Sequence, residues 1–467
     1  MKIFMSVLFI VTTLFAGGER YDLVKVRITD PGQIQTLEQM GALIHDVKDG
    51  FARIEIPYKE FGKFESRGFG IVEVLFPDIS SYYAENEQAY HTYEGFCDSL
   101  IILAQNYPDI ARVETLGFSV LNRVVLGIKI TQNPQVRSAR PRCLFEGATH
   151  GNEKIGAEVA FALARHLILN YGVDPLVTNL VNTRETWVVP LVNPDGYVAS
   201  VRTNTNGVDC NRDYGYMWNG SGSSPGAFSQ IETQNFRNFA QNHRLVHWCS
   251  YHSGTEFISY PWSYTPVQAR DKALLDTLAR NCHNYTRYPY DQGYQGMYEI
   301  HGCSKDFAYG AYAATSWSCE VSLSYIPPAS AIDSICNLNR PAQLYMITKI
   351  GHGIQGIVTD SLTGEPIPAK VSVQPMDVPV YTDSLGDYQR CLLPGTYSMN
   401  VWANGYQTKT ITDIVVPPDT FVLVDVTLNP DTIAPIAGFE VTTVNDRDND
   451  VNTSITPWTL GLQDGNR

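Results

Sequence analysis

Cys143-Leu144-Phe145-Glu146-Gly147-Ala148-Thr149-His150-Gly151-Asn152-Glu153 carries an apolar strand into a turn of small residues, and a long, largely apolar helical stretch follows from Ile155 to Tyr171. A strand that hands over to a helix in this way belongs to an alternating α/β architecture, and the strand's C-terminal end is where such a sheet presents side chains to a ligand crevice. His150 and Glu153 stand there three residues apart, close enough to grip one ion. Imidazole with carboxylate suits zinc, although the H-x-x-E spacing taken alone is common by chance.

Outward from that turn, Tyr90 to Gly351 alternates strand-like runs (Val124 to Ile130, Trp187 to Val192, Leu245 to Tyr251, Ser316 to Leu323) with helical ones (Tyr93 to Asn106, Ile231 to Asn242, Asp271 to Tyr285). The runs are apolar on both faces and so predict central strands of an α/β/α sandwich around a mixed central sheet. Residues 20–77 read as a small α+β unit: strand Leu23 to Ile28, helix Ile34 to Met40, strand Phe51 to Ile56, then a helix and the strand Ile71 to Leu75. Its place ahead of the larger unit suggests a prosegment or an accessory domain, and the polar stretch Pro77 to Gln88 reads as a linker. Residues 353–429 change to period-two alternation with frequent turns, the pattern of a β-sandwich. Residues 431–467 read as a linker or the start of a further domain, and Asp446, Asp448 and Asp450 in that tail as a solvated acidic loop.

At 467 residues two or three folded units are expected, and the 44% apolar and 18% charged fractions are those of a globular protein. A net charge of -14 argues against nucleic-acid binding, which rests on attraction to phosphates. Residues 1–18 have the charged start, short apolar core and small-residue exit of a secretory signal peptide, and no later segment is long and apolar enough for a membrane helix. The expected location is extracellular or periplasmic. An oxidising destination favours one or more disulfides among the nine Cys, with pairing left open, and the lack of any C-x-x-C argues against a thiolate zinc cluster.

A third metal ligand is expected from His252, at the C-terminal end of the strand Leu245 to Tyr251; His247, inside the strand, reads as a core residue. A catalytic zinc keeps one position for water, and a carboxylate that is not a ligand is the usual proton acceptor. Glu320 sits inside the apolar strand around Ser316 to Leu323, where burial of a charge is costly without a partner or a function. Arg202, Asn211 and Arg212, between these elements, supply what a peptide's terminal carboxylate and a developing oxyanion require.

The set His150-Gly151-Asn152-Glu153, Asn193-Pro194-Asp195-Gly196, Gly207-Val208-Asp209-Cys210-Asn211-Arg212, Tyr251-His252-Ser253 and the strand around Glu320 resembles, in the same order, the zinc carboxypeptidase family of carboxypeptidases A, B, T and N. The resemblance covers about Tyr90 to Gly351, and 353–429 resembles the transthyretin-like sandwich of the N/E-type members. It implies one zinc held by His150, Glu153 and His252, Glu320 as general base and proton shuttle, and Arg202 as oxyanion stabiliser. It further implies Asn211 and Arg212 gripping the substrate's α-carboxylate, with Tyr298 closing over it.

Specificity in that family depends on the residue seven positions after this Tyr, here Lys305, which implies preference for C-terminal Glu or Asp; His301 is the alternative pocket floor. Gly151-Asn152 is closer to the N/E type, since digestive members carry an Arg there, and Gly254 replaces a Tyr. The implied activity is release of single C-terminal residues from peptides or proteins by a secreted enzyme. A zinc amidohydrolase acting on peptidoglycan stem peptides and a non-catalytic extracellular binding protein are the alternatives. The sequence says nothing of oligomeric state.

Overall fold

The computed structural model describes residues 19–376 and 378–431, and the backbone of two paired strands, Glu440–Thr443 and Leu460–Gln463. The signal-peptide stretch 1–18 and the Asp446, Asp448 and Asp450 loop lie outside the described residues.

The middle of the chain forms an eight-stranded sheet in the order Tyr290–Gln292, Glu256–Tyr260, Thr315–Val321, His247–His252, Arg142–Glu146, Glu185–Val189, Val124–Ile130, Ala111–Phe118. Thr315–Val321, His247–His252, Arg142–Glu146 and Glu185–Val189 run parallel and the flanking pairs include antiparallel ones, so the sheet is mixed. The central strands are buried throughout because successive side chains enter different cores. Cys143, Phe145 and Cys249 pack with the helices Lys154–Leu169 and Lys272–Thr286, whereas Leu144 and Trp248 pack on the other side with Ile231–His243 and Ser304–Tyr312. The result is the α/β/α sandwich. Helix Lys154–Leu169 is buried almost all round, as its continuous apolar run implies.

Two features of this layer place the site. Glu320 lies directly beside His252 in the parallel pair of strands, and the next strand on the other side of His247–His252 is Arg142–Glu146, which leads into His150. Gly151 lets the His150 turn press against the turn Asn193-Pro194-Asp195-Gly196; a Cβ on Gly151 would collide with the Gly196 backbone.

Residues 21–76 form an antiparallel sheet in the order Leu43–Lys48, Phe51–Pro57, Tyr21–Arg27, Ile71–Phe76. The strand Leu43–Lys48 is an addition to the sequence reading. It is joined to Phe51–Pro57 by Asp49-Gly50, both with positive φ, the pattern of a two-residue hairpin turn. The stretch 77–88, read as a linker, instead contains the helix Ile79–Glu87: the Asp78 carboxylate accepts from the Ser81 amide and the Ser80 and Ser81 hydroxyls, and Tyr83 reaches Glu55 at 2.5 Å.

After Gly353, two four-stranded sheets face one another around Ile354, Val358, Val371, Val373, Met399, Val401 and Val426. The apolar core of this sandwich is continuous with that of the α/β layer, and charges cross the seam as well: Arg137 and Arg142 reach Asp383, and Arg390 reaches Asp271. No disulfide forms: all nine cysteines are free thiols, eight of them buried. They serve as small core residues, Cys143 against Thr186 and Cys282 under Ala342, while Cys249 and Cys319, from adjacent strands, meet as free thiols. No helix among the described residues is long and apolar enough to cross a membrane.

Candidate metal centre and active site

His150, Glu153 and His252 meet in one buried spot. His150 Nδ1 is 2.7 Å from Glu153 Oε1, His252 Nδ1 is 2.9 Å from Glu153 Oε2, and the two Nδ1 atoms are 3.2 Å apart. The outer ring nitrogens are occupied: His150 Nε2 is 3.0 Å from Asp209 Oδ1, and His252 Nε2 is 3.0 Å from Ser250 Oγ and 3.4 Å from Asn211 Nδ2. A neutral imidazole that donates from Nε2 presents a lone pair at Nδ1. With both rings neutral and the proton on each Nε2, two Nδ1 lone pairs and a carboxylate would converge, which is the donor set of a divalent cation. Two nitrogens and an oxygen fit zinc, and the outer hydrogen bonds are those that fix a ligating imidazole's orientation.

His252 ends its strand, whereas His150 stands in the turn that follows Arg142–Glu146. The Ser253 amide also donates to Glu153 Oε2 at 3.1 Å, holding the carboxylate between the rings. Burial opposes ionisation of Glu153, but the two imidazoles outweigh it and hold the carboxyl well below its usual range.

Glu320, Arg202, Asn211, Arg212, Tyr298 and Lys305 line the same small cavity. Glu320 faces it from the neighbouring strand; burial first, then the Glu153 charge, raise its pKa well above the usual carboxylate range. Arg202 lies between Asp209 (3.0 Å to Oδ2) and Glu153 (3.3 Å to Oε1). Asn211 accepts from the Ser304 amide at 3.0 Å. Arg212 donates to Tyr298 Oη at 3.4 Å and to the Asn211 carbonyl at 3.1 Å. Lys305 is buried, its ammonium on Ser259 Oγ, and Asp306 does not take it as a partner but accepts from the Ser263 amide at 2.9 Å. His301 is elsewhere: it pairs with Glu299 at 2.8 Å in an outer cleft and is no part of the inner cavity. His247 is packed in the core, its Nδ1 on the Thr315 carbonyl.

Three residues that sequence reasoning gave no role complete the arrangement. Asp209 and Ser250 orient the two imidazoles; Asp209 stands inside a quoted motif, and Ser250 two residues before His252, which was the available signal. Glu38, from the N-terminal unit, pairs with Arg212 at 2.9 Å. No sequence signal joins residues 174 apart in the chain. Ile44 and His45 of the same unit roof the cavity, and His45 Nδ1 meets the Gly254 carbonyl at 3.0 Å.

A family model described as zinc carboxypeptidase matches residues 97–342, and one described as carboxypeptidase regulatory-like domain matches 353–429. Human carboxypeptidase D is 28% identical over 389 residues, 73% of this chain and 27% of that protein, so the chain spans about a quarter of its length. Mouse carboxypeptidase M is 27% identical over 372 residues, 70% of this chain and 81% of that protein. Among solved structures, carboxypeptidase A from Helicoverpa armigera superposes with a TM-score of 0.62 at 16% identity, over 70% of this chain and 97% of that one. Thrombin activatable fibrinolysis inhibitor gives 0.59 at 18%, over 70% and 98%. These two likenesses concern the fold.

Proposed function

Because this chain belongs to the zinc carboxypeptidase family, we propose that it is an exported exopeptidase that removes single residues from the C-termini of peptides or proteins. The observation that carries this reading is the gathering of His150, Glu153, His252, Glu320, Arg202, Arg212 and Tyr298 around one cavity. His150, Glu153 and His252 would hold zinc, which when bound supplies Lewis acidity toward the scissile carbonyl and the attacking water. Glu320 takes the water's proton and returns it to the leaving amine; a carboxyl held above its usual range suits both tasks. Arg202 donates to the oxygen that becomes negative in the tetrahedral species. Arg212 and Asn211 bind the terminal carboxylate, Tyr298 covers it, and Lys305 at the cavity floor takes the side chain of the departing residue, favouring Glu or Asp.

In the conformation described, Glu38 occupies the Arg212 guanidinium that a substrate carboxylate needs, and Ile44 and His45 close the roof. The N-terminal unit is therefore proposed to act as a prosegment that must move or be removed.

The test is Glu320→Gln. Turnover should fall at least about a thousandfold with zinc stoichiometry unchanged. His150→Ala and His252→Ala should lose metal and activity together. Near-normal kcat in Glu320→Gln would reject the assignment.

A further inference from the structure

Lys305 sits in the first turn of the helix Ser304–Tyr312, and that helix runs from the cavity to the seam with the C-terminal sandwich. Nine residues of α-helix span about 13 Å. At the cavity end the Ser304 amide is tied to Asn211 Oδ1 and the Asp306 carboxylate to the Ser263 amide. At the seam, Tyr309 donates its hydroxyl to Asp271 Oδ2 at 2.6 Å. The same oxygen accepts from Arg390 at 2.5 Å, and Arg390 also donates to the carbonyl of Ala313, the residue that ends the helix, at 3.3 Å.

Arg390 belongs to the sandwich, on the strand Asp387–Cys391. Its side chain and that of Asp271 are 1% and 0% exposed. Two charges withdrawn from water across a seam between folded units hold only while their alignment is kept, so the pair defines one position of what it touches. What it touches is the far end of the Lys305 helix. Sideways movement is blocked by packing: Trp262 lies edge-on to Tyr309 and stacks on Tyr216, and a Cβ on Gly310 would collide with the Tyr216 ring. The remaining freedom of the helix is at its ends, and the seam end is held by the sandwich.

Resting on the function proposed above, we propose that Arg390 is a positioning residue: through Asp271 and Tyr309 the C-terminal sandwich fixes the Ser304–Tyr312 helix and thereby where Lys305 stands on the cavity floor. The sandwich then takes part in substrate selection while contributing no group to the cavity. The pair Arg137 and Asp383, 2.7 Å apart at the same seam, supplies a control that does not touch this helix.

The experiment uses the full zinc-loaded chain as wild type, Arg390→Gln, Arg390→Lys, Tyr309→Phe and Arg137→Gln. It measures kcat and KM on blocked dipeptides differing in the C-terminal residue, and amide hydrogen exchange across 304–313 relative to 154–169. Arg390→Gln should raise KM for the residue wild type prefers about tenfold, with kcat changed less than about threefold, and flatten the ranking of C-terminal residues. Exchange should quicken across 304–313 alone. Tyr309→Phe, which keeps the packing, should show the same changes in smaller measure, Arg390→Lys should recover part of the wild-type ranking, and Arg137→Gln should leave ranking and exchange as they were. Unchanged ranking in Arg390→Gln and Tyr309→Phe, or equal changes in Arg137→Gln, overturns the proposal. If wild type releases no amino acid from any peptide, either intact or after limited proteolysis between the N-terminal unit and the α/β layer, the functional reading falls and the exchange comparison decides alone: selective loss of protection across 304–313 supports the positioning role, and unchanged protection overturns it.

Discussion

Lys305 places an ammonium where water barely reaches, with the hydroxyl of Ser259 as its hydrogen-bond acceptor. One hydroxyl leaves most of that group's hydration unreplaced, so a carboxylate brought in by a substrate side chain completes its environment. Matching such a charge is worth ~2 to 5 kcal/mol relative to leaving it unpaired. Peptides ending in Glu should accordingly have higher kcat/KM than matched ones ending in Leu, and Lys305→Ile should narrow that ratio more than about tenfold. Leu-ending peptides cleaved equally well by the unaltered protein would remove Lys305 from the pocket floor. The residues that converge here were largely legible because polar groups at the ends of apolar strands have few structural reasons to be there. Their partners were less so: Ser250 and Asp209 are ordinary polar residues until the imidazole orientation is known, and Glu38 meets Arg212 only because a separate folded unit lies on top.

The strand Asp387–Cys391 carries a second consequence at the seam. Burial, and then a hydrogen bond to the neighbouring Asp383 carboxylate, push Asp387 up to about 8, with the Arg142 charge acting in the opposite direction. In the unfolded chain an aspartate titrates near 4, so between about pH 4 and pH 8 the folded protein keeps a proton that the unfolded chain releases. Folding then takes up a proton, and stability falls as pH rises through this window. Asp383 itself is lowered to about 2 and acts below it. The melting temperature measured from pH 5 to 9 should decline in the wild type and decline less in Asp387→Asn; parallel curves would show that this carboxyl is not the source. At this scale, long elements with one clear period were readable from sequence, as the helix Tyr93–Asn106 and the strand Val124–Ile130 illustrate. The strand Leu43–Lys48 was missed because only part of it is buried, and the helix Ile79–Glu87 because its polar surface hides a stop-and-start signal carried by Asp78.

Apolar packing and polar contacts both join the N-terminal unit and the sandwich to the α/β layer, and on the function proposed the tie between Glu38 and Arg212 is the one that would compete with a substrate carboxylate. Glu38→Ala, in the full chain, should raise activity on free-acid peptides about tenfold, equivalent to ~1.4 kcal/mol. Assay of intact variant and wild type side by side checks this, and equal activity would mean that the roof alone closes the site. The fold class followed from alternating elements along the chain, whereas the way one unit covers another's cavity depends on surfaces whose pairing no local pattern records. The placement of His252 beside Glu320, with the His150 strand next along, has a further reach. Backbone hydrogen bonding spaces adjacent strands about 4.8 Å apart whatever connects them, so His252 and Glu320 are held at an interval that the loops do not set. Insertions in the connections would leave that one interval unchanged, whereas the turns and loops that carry His150, Glu153, Arg202, Asn211, Arg212 and Tyr298 have no such constraint and are where a change of length would be felt.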